Sequence, residues 1–515
     1  MRRALHLLAI LVATVAVVPP AHAADPVQGA YGKAGRWITD RSGRTVVLNG
    51  WNIVNKLAPY TPEAIGFDDD DVAFLRRHGF DTIRLGMVWK GLEPRPGQYD
   101  ERYLAAIERT YDLLARNGFA VLLDFHQDMY NERFQGEGMP DWAVLADSAL
   151  LPAVPRAGFP ANYVVMPALQ RAYDAFWANS TGPDGRPIWD AYADAWVHVA
   201  ERFRDKPRLL GYNLFNEPFP GTRAVSCVIT PTGCPDFDVK ALDAFNAAVT
   251  RRIRAVDPRA IVWYAPWLTF DYGVASAHRR LDDRAGFAFN AYCQNAGGAT
   301  GGAVALLFPY YLTKTCEELA DIQYANGNGV AARNDEAVLN TEFGATDDLP
   351  LLRTSLEALE RHMIGWQQWS YWNADPCCER PIEGIIRDPR RPPTENNVKH
   401  RKLELSARPH PAAIAGTPTG WRFYSADKRF ELTYTTLRPG SATRRFSANS
   451  LSVVTVPRLQ YPDGYRVSVE GARVVSRPGG PRLKLRSCRG ARRVTVGVAA
   501  GRTPKAATRC PRRRG

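Results

Sequence analysis

The stretch Leu210-Gly-Tyr-Asn-Leu-Phe-Asn-Glu-Pro218 is an apolar run with strand-like alternation that stops on Asn216, Glu217 and Pro218. Proline removes a ladder donor and ends the strand, so Glu217 is offered at a sheet edge, where loops and ligands meet. A second short apolar run, Ala337-Val-Leu-Asn-Thr-Glu-Phe-Gly344, delivers Glu342 in the same way, and Gly344 releases the chain. Two glutamates at the ends of two parallel strands are the pair that glycoside hydrolysis needs, one to protonate the leaving oxygen and one to attack the sugar. The pair carries the argument, because a single strand-terminal Glu is ordinarily a solvated or salt-bridged edge residue.

Around this pair, apolar strands alternate with amphipathic helices. The pattern predicts strands at Val46–Val54, Thr82–Met87, Ala120–Phe125, Leu210–Asn216, Ala260–Ala265, Phe287–Tyr292, Ala337–Phe343 and Gly365–Tyr371. Helical periodicity falls between them at Asp70–His78, Arg102–Asn117, Tyr192–Phe203, Val239–Val256 and Leu351–His362. Eight such units predict an α/β fold of the (β/α)8 TIM-barrel type, in which strand C-termini carry the chemistry. Upstream, Trp37 to Gly50 reads as a hairpin with a Ser-Gly turn. Arg84, the run Asp124-Phe-His-Gln-Asp128 containing His126, Tyr292 and Trp372 all fall at or beside strand ends. Each alone reads as an ion pair, a satisfied core imidazole or plain packing; their joint placement at one end of successive strands points to a site.

Beyond Thr417 the helical periodicity vanishes. Short alternating strands at Arg429–Thr435, Ser452–Val456, Arg466–Glu470 and Arg493–Val498, separated by Pro/Gly turns, predict a small C-terminal β-sandwich. A chain of 515 residues is too long for one core. The expected division is a leader at 1–23, a catalytic barrel at 24–408 and a β-sandwich with a basic tail at 409–515. The leader is read from Met1-Arg-Arg3, the apolar run Ala4 to Val18 and Ala21-His-Ala23, which have the pattern of a secretory signal peptide. No later stretch approaches the ~20 unbroken apolar residues of a membrane span, so a secreted, soluble protein is expected.

The net charge of +13 is uneven: no acidic residue follows Glu470, whereas Arg473 to Arg514 contribute 14 Arg and Lys. The basic character belongs to the tail, which either is simply solvated or favours an anionic surface. Eight cysteines in an exported chain point to disulfides. Their positions suggest Cys227–Cys234, Cys293–Cys316 and Cys488–Cys510, leaving Cys377 and Cys378 as a vicinal pair. No Cys/His cluster has zinc spacing, so no metal and no cofactor are expected. Two insertions, Met129 to Pro207 and Ala296 to Tyr324, are unusually apolar for loops. They either pack on the barrel or form an apolar groove, for which Trp142, Phe159, Leu306, Leu307 and Phe308 are the candidate lining.

The chain resembles glycoside hydrolase family 5, and within it the secreted endoglycoceramidases. The resemblance rests on Leu48-Asn-Gly-Trp-Asn-Ile-Val-Asn-Lys56, Leu123-Asp-Phe-His-Gln-Asp128, Asn213-Leu-Phe-Asn-Glu-Pro-Phe219, Leu339-Asn-Thr-Glu-Phe-Gly344 and Arg408-Pro-His-Pro-Ala-Ala-Ile-Ala-Gly-Thr-Pro418. It implies Glu217 as acid/base, Glu342 as nucleophile and Asn216 at the sugar 2-hydroxyl. It further implies Lys56, Asp128 and Trp372 around the sugar next to the scissile bond, with Arg84 and Tyr292 beside the nucleophile. His126 and Asn290 complete the expected substrate-binding set. At Asn290 the sequence departs from the family pattern, which commonly has His two residues before the sixth-strand Tyr. An amide donates a hydrogen bond but carries no proton at neutral pH.

The function implied is retaining cleavage of the bond between glycan and ceramide in glycosphingolipids. The expected protein is a monomer with a glycolipid substrate, peripheral contact with a lipid surface and no nucleic-acid partner. Two alternatives stand beside it: a family 5 glycosidase on soluble glycans, and a non-catalytic secreted glycan- or lipid-binding protein, against which the retained glutamate pair argues.

Overall fold

In the computed structural model, residues 31–227, 233–293, 314–372, 381–501 and 509–510 are described. Eight strands form a closed parallel barrel in consecutive order: β1 (Asn49–Ile53), β2 (Thr82–Met87), β3 (Ala120–Phe125), β4 (Leu209–Asn213), β5 (Val262–Tyr264), β6 (Ala285–Ala291), β7 (Ala337–Phe343) and β8 (Trp366–Gln368). Helices α1 (Asp69–Arg77), α2 (Glu101–Arg116), α3 (Ile188–Phe203), α4 (Asp243–Val256), α5 (Cys316–Asn334), α6 (Leu349–His362) and α7 (His400–Ser406) surround it. Their starts are set locally. Asp68 and Thr315 cap α1 and α5 in full capping boxes, and the side chains of Asp100 and Asp348 accept first-turn N–H groups of α2 and α6.

Three differences from the sequence expectation bear on the site. The link from β5 to β6 contains no α-helix; a single 3-10 turn, Leu268–Tyr272, takes its place. Strand β4 stops at Asn213 rather than Asn216, although Leu214 N still donates to Trp263 O at 2.9 Å and Asn216 N to Phe125 O at 3.3 Å, so the chain stays extended to the carboxylate. Strand β8 stops at Gln368, three residues short of the expected Tyr371. Helix α5, falling partly in what reads as an insertion, was hidden by its Asn326-Gly-Asn-Gly329 centre. Gly327 is needed there because an added Cβ would lie 2.4 Å from the Phe289 ring.

The barrel interior is graded. Its N-terminal end is filled by Leu48, Ala120, Leu122, Leu210, Ile261, Trp263, Ala288, Ala337 and Leu339, closed off by Tyr31, Ile38 and Val46 of the N-terminal strands. Trp263 fits because Gly211 and Gly286 flank it; a Cβ on Gly286 would sit 2.3 Å from the indole. Above this plug the inward positions turn polar, beginning with Arg84.

Strand β7 contains a device that aims its glutamate. Alternation puts Ala337 and Leu339 inward and Val338 outward. The pairing with β6 then shifts register between Asn340 and Glu342. The extra residue of this bulge resets the parity, so that Glu342 faces inward beside Asn290 while Phe343 packs outward in the helix layer.

The C-terminal part is a sandwich of two four-stranded antiparallel sheets, one of His410–Ala413, Leu451–Thr455, Arg482–Ser487 and Ala472–Val474, the other of Thr417–Tyr424, Arg429–Thr435, Arg493–Ala500 and Tyr465–Glu470. Trp421, Phe430, Leu432, Val454, Leu485 and Val496 fill the space between them. It is joined to the barrel by buried polar pairs, Arg408 Nε to Glu360 at 2.7 Å and His410 Nε2 to Asp81 at 2.9 Å. The three expected disulfides are present. Residues 1–30, Leu306, Leu307, Phe308, Cys377, Cys378 and residues 511–515 lie outside the described residues.

The insertion between β3 and α3 is mainly packing. Tyr130, Phe134, Met139, Tyr163 and Met166 are buried, Trp142 stands edge-on to Trp89 at 5.1 Å and donates to Glu93 O, and Phe159 is half-buried on Tyr163. Trp142 and Phe159 are therefore held largely by the barrel, not presented as an open groove. Leu150, Val154 and Val165 of the same insertion are exposed, as is Leu57 beside Lys56. No helix among the described residues is long and apolar enough to cross a membrane.

Candidate active site

Arg84, projecting inward from the middle of β2, organises the site. It makes four hydrogen bonds and one further ion pair: Nε donates to Asn213 at 3.0 Å, Nη1 to Asn52 at 3.1 Å and Glu342 Oε1 at 2.5 Å, and Nη2 to Asn216 at 2.8 Å, while Nη2 lies 2.9 Å from Asp124. Burial opposes its charge, but Asp124 and Glu342 outweigh that cost and raise its pKa. Tyr292 donates to the other Glu342 oxygen at 2.8 Å. Both Glu342 oxygens thus accept a hydrogen bond and are held in place.

Glu217 follows the extended end of β4 and adopts φ of +40°, a conformation that costs an L-residue ~1–2 kcal/mol. It is buried. Asn290 Nδ2 donates to its Oε1 at 2.8 Å, and Thr341 Oγ1 donates to Asn290 Oδ1 at 2.9 Å, which fixes the amide with its N–H side toward Glu217. Burial, then the charges of Asp128 and Glu342, push the Glu217 carboxyl up to about 8. Of the two carboxyls, Glu217 is the one driven toward its acid form.

Next to the pair lies a buried charged cluster. Lys56 Nζ is 2.5 Å from Asp128 and 3.6 Å from Glu137, with the ammonium 4.8 Å from the Trp369 ring centre. His126 Nδ1 is 2.9 Å from Asp124, and its Nε2 is 3.5 Å from Asp128. Burial alone disfavours the imidazolium, but hydrogen bonding and charge from Asp124 and Asp128 push His126 up to about 10. For Asp128 the burial cost is outweighed by Lys56 and His126, which hold it well below the usual carboxylate range. His126, Asp128 and Glu137 converge closely enough to hold a cation, and Lys56 supplies one.

The structure brings together Lys56, Arg84, His126, Asp128, Asn216, Glu217, Asn290, Tyr292 and Glu342. Trp372 stands apart from this cluster: its indole packs at 5.6 Å from Phe67, and Nε1 donates to Val54 O at 3.0 Å. The indole that stacks on His126, 5.2 Å away and 12° from parallel, is Trp369. The reason is the early end of β8, which makes Trp369 the first residue past the strand. The sequence reading also passed over Glu137, paired through its backbone with Asp128, and Asp271, on the turn after β5, whose carboxyl is within hydrogen-bonding reach of Glu217.

Residues 40–375 match the family model for cellulase (glycosyl hydrolase family 5), and residues 408–498 that for the glycoside hydrolase family 5 C-terminal domain. Among curated proteins, the chain is similar to endoglycoceramidase I of Rhodococcus hoagii, 34% identical over 454 residues that cover 86% of this chain and 83% of the relative. It is also similar to an endoglycoceramidase of Cyanea nozakii, 26% identical over 84% of this chain and 85% of the relative. Among solved structures, it is similar to endo-glycoceramidase II from Rhodococcus sp. in complex with ganglioside GM3, with a TM-score of 0.71 and 26% identity over 90% of this chain and 99% of that one. The same protein is known as a lactosyl-enzyme intermediate, at a TM-score of 0.69.

Proposed function

The chain belongs to glycoside hydrolase family 5 and is a retaining O-glycosyl hydrolase, and from that premise we propose that it cleaves the bond between glycan and ceramide in glycosphingolipids, releasing both intact. Glu342 is the nucleophile and Glu217 the acid/base. The observation that carries these roles is the contrast between the carboxyls: Glu342 accepts from Arg84 and Tyr292, whereas burial and neighbouring charge keep a proton on Glu217. In the first step Glu217 protonates the leaving oxygen as Glu342 bonds to the anomeric carbon. In the second, Glu217 takes a proton from the water that releases the sugar. Arg84 and Tyr292 neutralise charge on Glu342, Asn216 meets the 2-hydroxyl, and Lys56, Asp128 and His126 bind the remaining hydroxyls of that sugar over Trp369.

The endoglycoceramidase relatives, one of them complexed with a ganglioside, support the ceramide side of the reading. So do the exposed Leu57, Leu150, Val154 and Val165, because each methylene buried on a hydrocarbon chain is worth ~0.8 kcal/mol. The protein acts as an exported monomer at a lipid surface, with domains divided near residue 408; the leader pattern and the three disulfides support export. The test is mass spectrometry of products from a ganglioside, a glucosylceramide and a soluble β-glucan. Intact oligosaccharide and ceramide are expected, with the retained anomer first by NMR. Degradation of the glucan with the glycolipids untouched refutes the substrate.

A further inference from the structure

Glu217 meets two buried side chains, Asn290 and Asp271. Asn290 donates to Oε1, but Oε2 is buried and receives no N–H from the protein. Within hydrogen-bonding reach of this carboxyl is Asp271, itself buried, with Oδ2 likewise lacking an N–H donor. Asp271 sits on the single 3-10 turn of the β5–β6 link, Leu268–Tyr272. Its main chain is pinned: Tyr292 N donates to Asp271 O at 3.1 Å, and Gln323 Nε2 donates to the same carbonyl.

Two ionised carboxylates are acceptors only and cannot satisfy one another. The neighbours make double ionisation worse. Asp128 from the end of β3 and Glu342 from β7 add negative charge near both groups, and Tyr163, Tyr272 and Tyr292 are neutral phenols. Arg84 adds positive charge near Glu217, but its N–H groups bond Asn52, Asn213, Asn216 and Glu342 and its charge is paired with Asp124 and Glu342. Lys56 is engaged with Asp128.

We propose that Asp271 is a positioning residue held as a neutral carboxylic acid that donates its O–H to Glu217 Oε2, matching the amide donor of Asn290 on Oε1. When Glu217 gives its own proton to the leaving oxygen, the carboxylate that remains is met by two fixed donors, and the proton of Asp271 stays on Asp271. The second step reverses this, with Glu217 regaining a proton from water. Preorganised donors at a group that becomes charged stabilise the transition state. Burial, then the charge of Glu217, holds Asp271 well above the usual carboxylate range, in keeping with this role.

The inference rests on Glu217 as the acid/base, and the experiment separates the two. Asp271→Asn keeps a donor of the same shape; Asp271→Ala removes it. Each is assayed from pH 5 to 10 with a glycolipid and with an aryl glycoside whose leaving group needs no protonation, beside Glu217→Ala. Expected are a kcat/KM within about fivefold of wild type for Asp271→Asn and a loss of about 10²-fold for Asp271→Ala on the glycolipid. The aryl glycoside should recover most of that loss. The alkaline limb should stay in place for Asn and move up for Ala, because a donor to the ionised form has been lost. If both variants move that limb down, Asp271 is an anion and the inference is wrong; it is equally wrong if Asp271→Ala behaves as wild type. If Glu217→Ala shows no dependence on leaving group, the acid/base assignment itself fails.

Discussion

Replacing Arg84 by Lys keeps the charge and tests whether the fork geometry matters. Arg84 donates four hydrogen bonds to buried acceptors on Asn52, Asn213, Asn216 and Glu342 and pairs with Asp124. An ammonium offers three donors, so at least one acceptor loses its partner. A buried polar group left unsatisfied costs ~1–3 kcal/mol, which sets the smallest expected destabilisation. Glu342 and Asn216 also lose their fixed orientation, so kcat/KM should fall about 10²- to 10³-fold even where the variant is fully folded. Urea titration followed by fluorescence, with m unchanged, gives the first quantity, and aryl-glycoside hydrolysis well below the unfolding transition gives the second. A variant within 0.5 kcal/mol and threefold of wild type, figures chosen as roughly the noise of such measurements, refutes the view that Arg84 organises the site through its four bonds.

Glu342→Gln should lose about 10⁴-fold or more in kcat/KM, read from aryl-glycoside hydrolysis, with no covalent sugar adduct by mass spectrometry. Glu217 must carry a proton to serve as acid, and its folded pKa is raised to about 8, so glycolipid kcat/KM should hold below that pH and fall as pH rises through it. A profile that falls at pH 5 to 6 instead contradicts the assignment. Trp369→Ala should weaken sugar binding, seen as a higher KM or inhibitor Kd. Trp372→Ala should act mainly on stability, by ~3–5 kcal/mol, because its indole is a buried packing element.

The parts of this molecule that follow a periodic rule were readable from the chain. Strand runs such as Thr82–Met87 and Ala120–Phe125 match the observed elements end to end, because a short, mostly apolar run reports a strand buried along its whole length. Glu217 and Glu342 stood out as a pair, each ending an apolar run, where either alone reads as an ordinary edge residue. Trp372 was preferred to Trp369 because Gln368-Trp-Ser-Tyr-Trp372 reads as continued strand, and strand ends depend on partners that are not neighbours in sequence. Asp271 lies in Trp267-Leu-Thr-Phe-Asp-Tyr-Gly273, whose aromatics read as core, and only the missing helix brings that turn over Glu217. Asn290 was noticed as a departure, but its grip on Glu217 needed Thr341 from the adjoining strand, which no spacing announces.

The bulge in β7 makes that strand a counter as well as a scaffold. Run as a regular strand with all seven residues kept, it would turn Glu342 out toward the helices and Phe343 into the polar mouth, with composition unchanged. Losing the one codon at position 341 would instead remove the extra residue and leave Glu342 inward, still opposite Asn290. The side on which the carboxylate emerges is therefore set by a count of residues, and a map of single-codon deletions and insertions would show a dependence on position that a map of substitutions does not reveal.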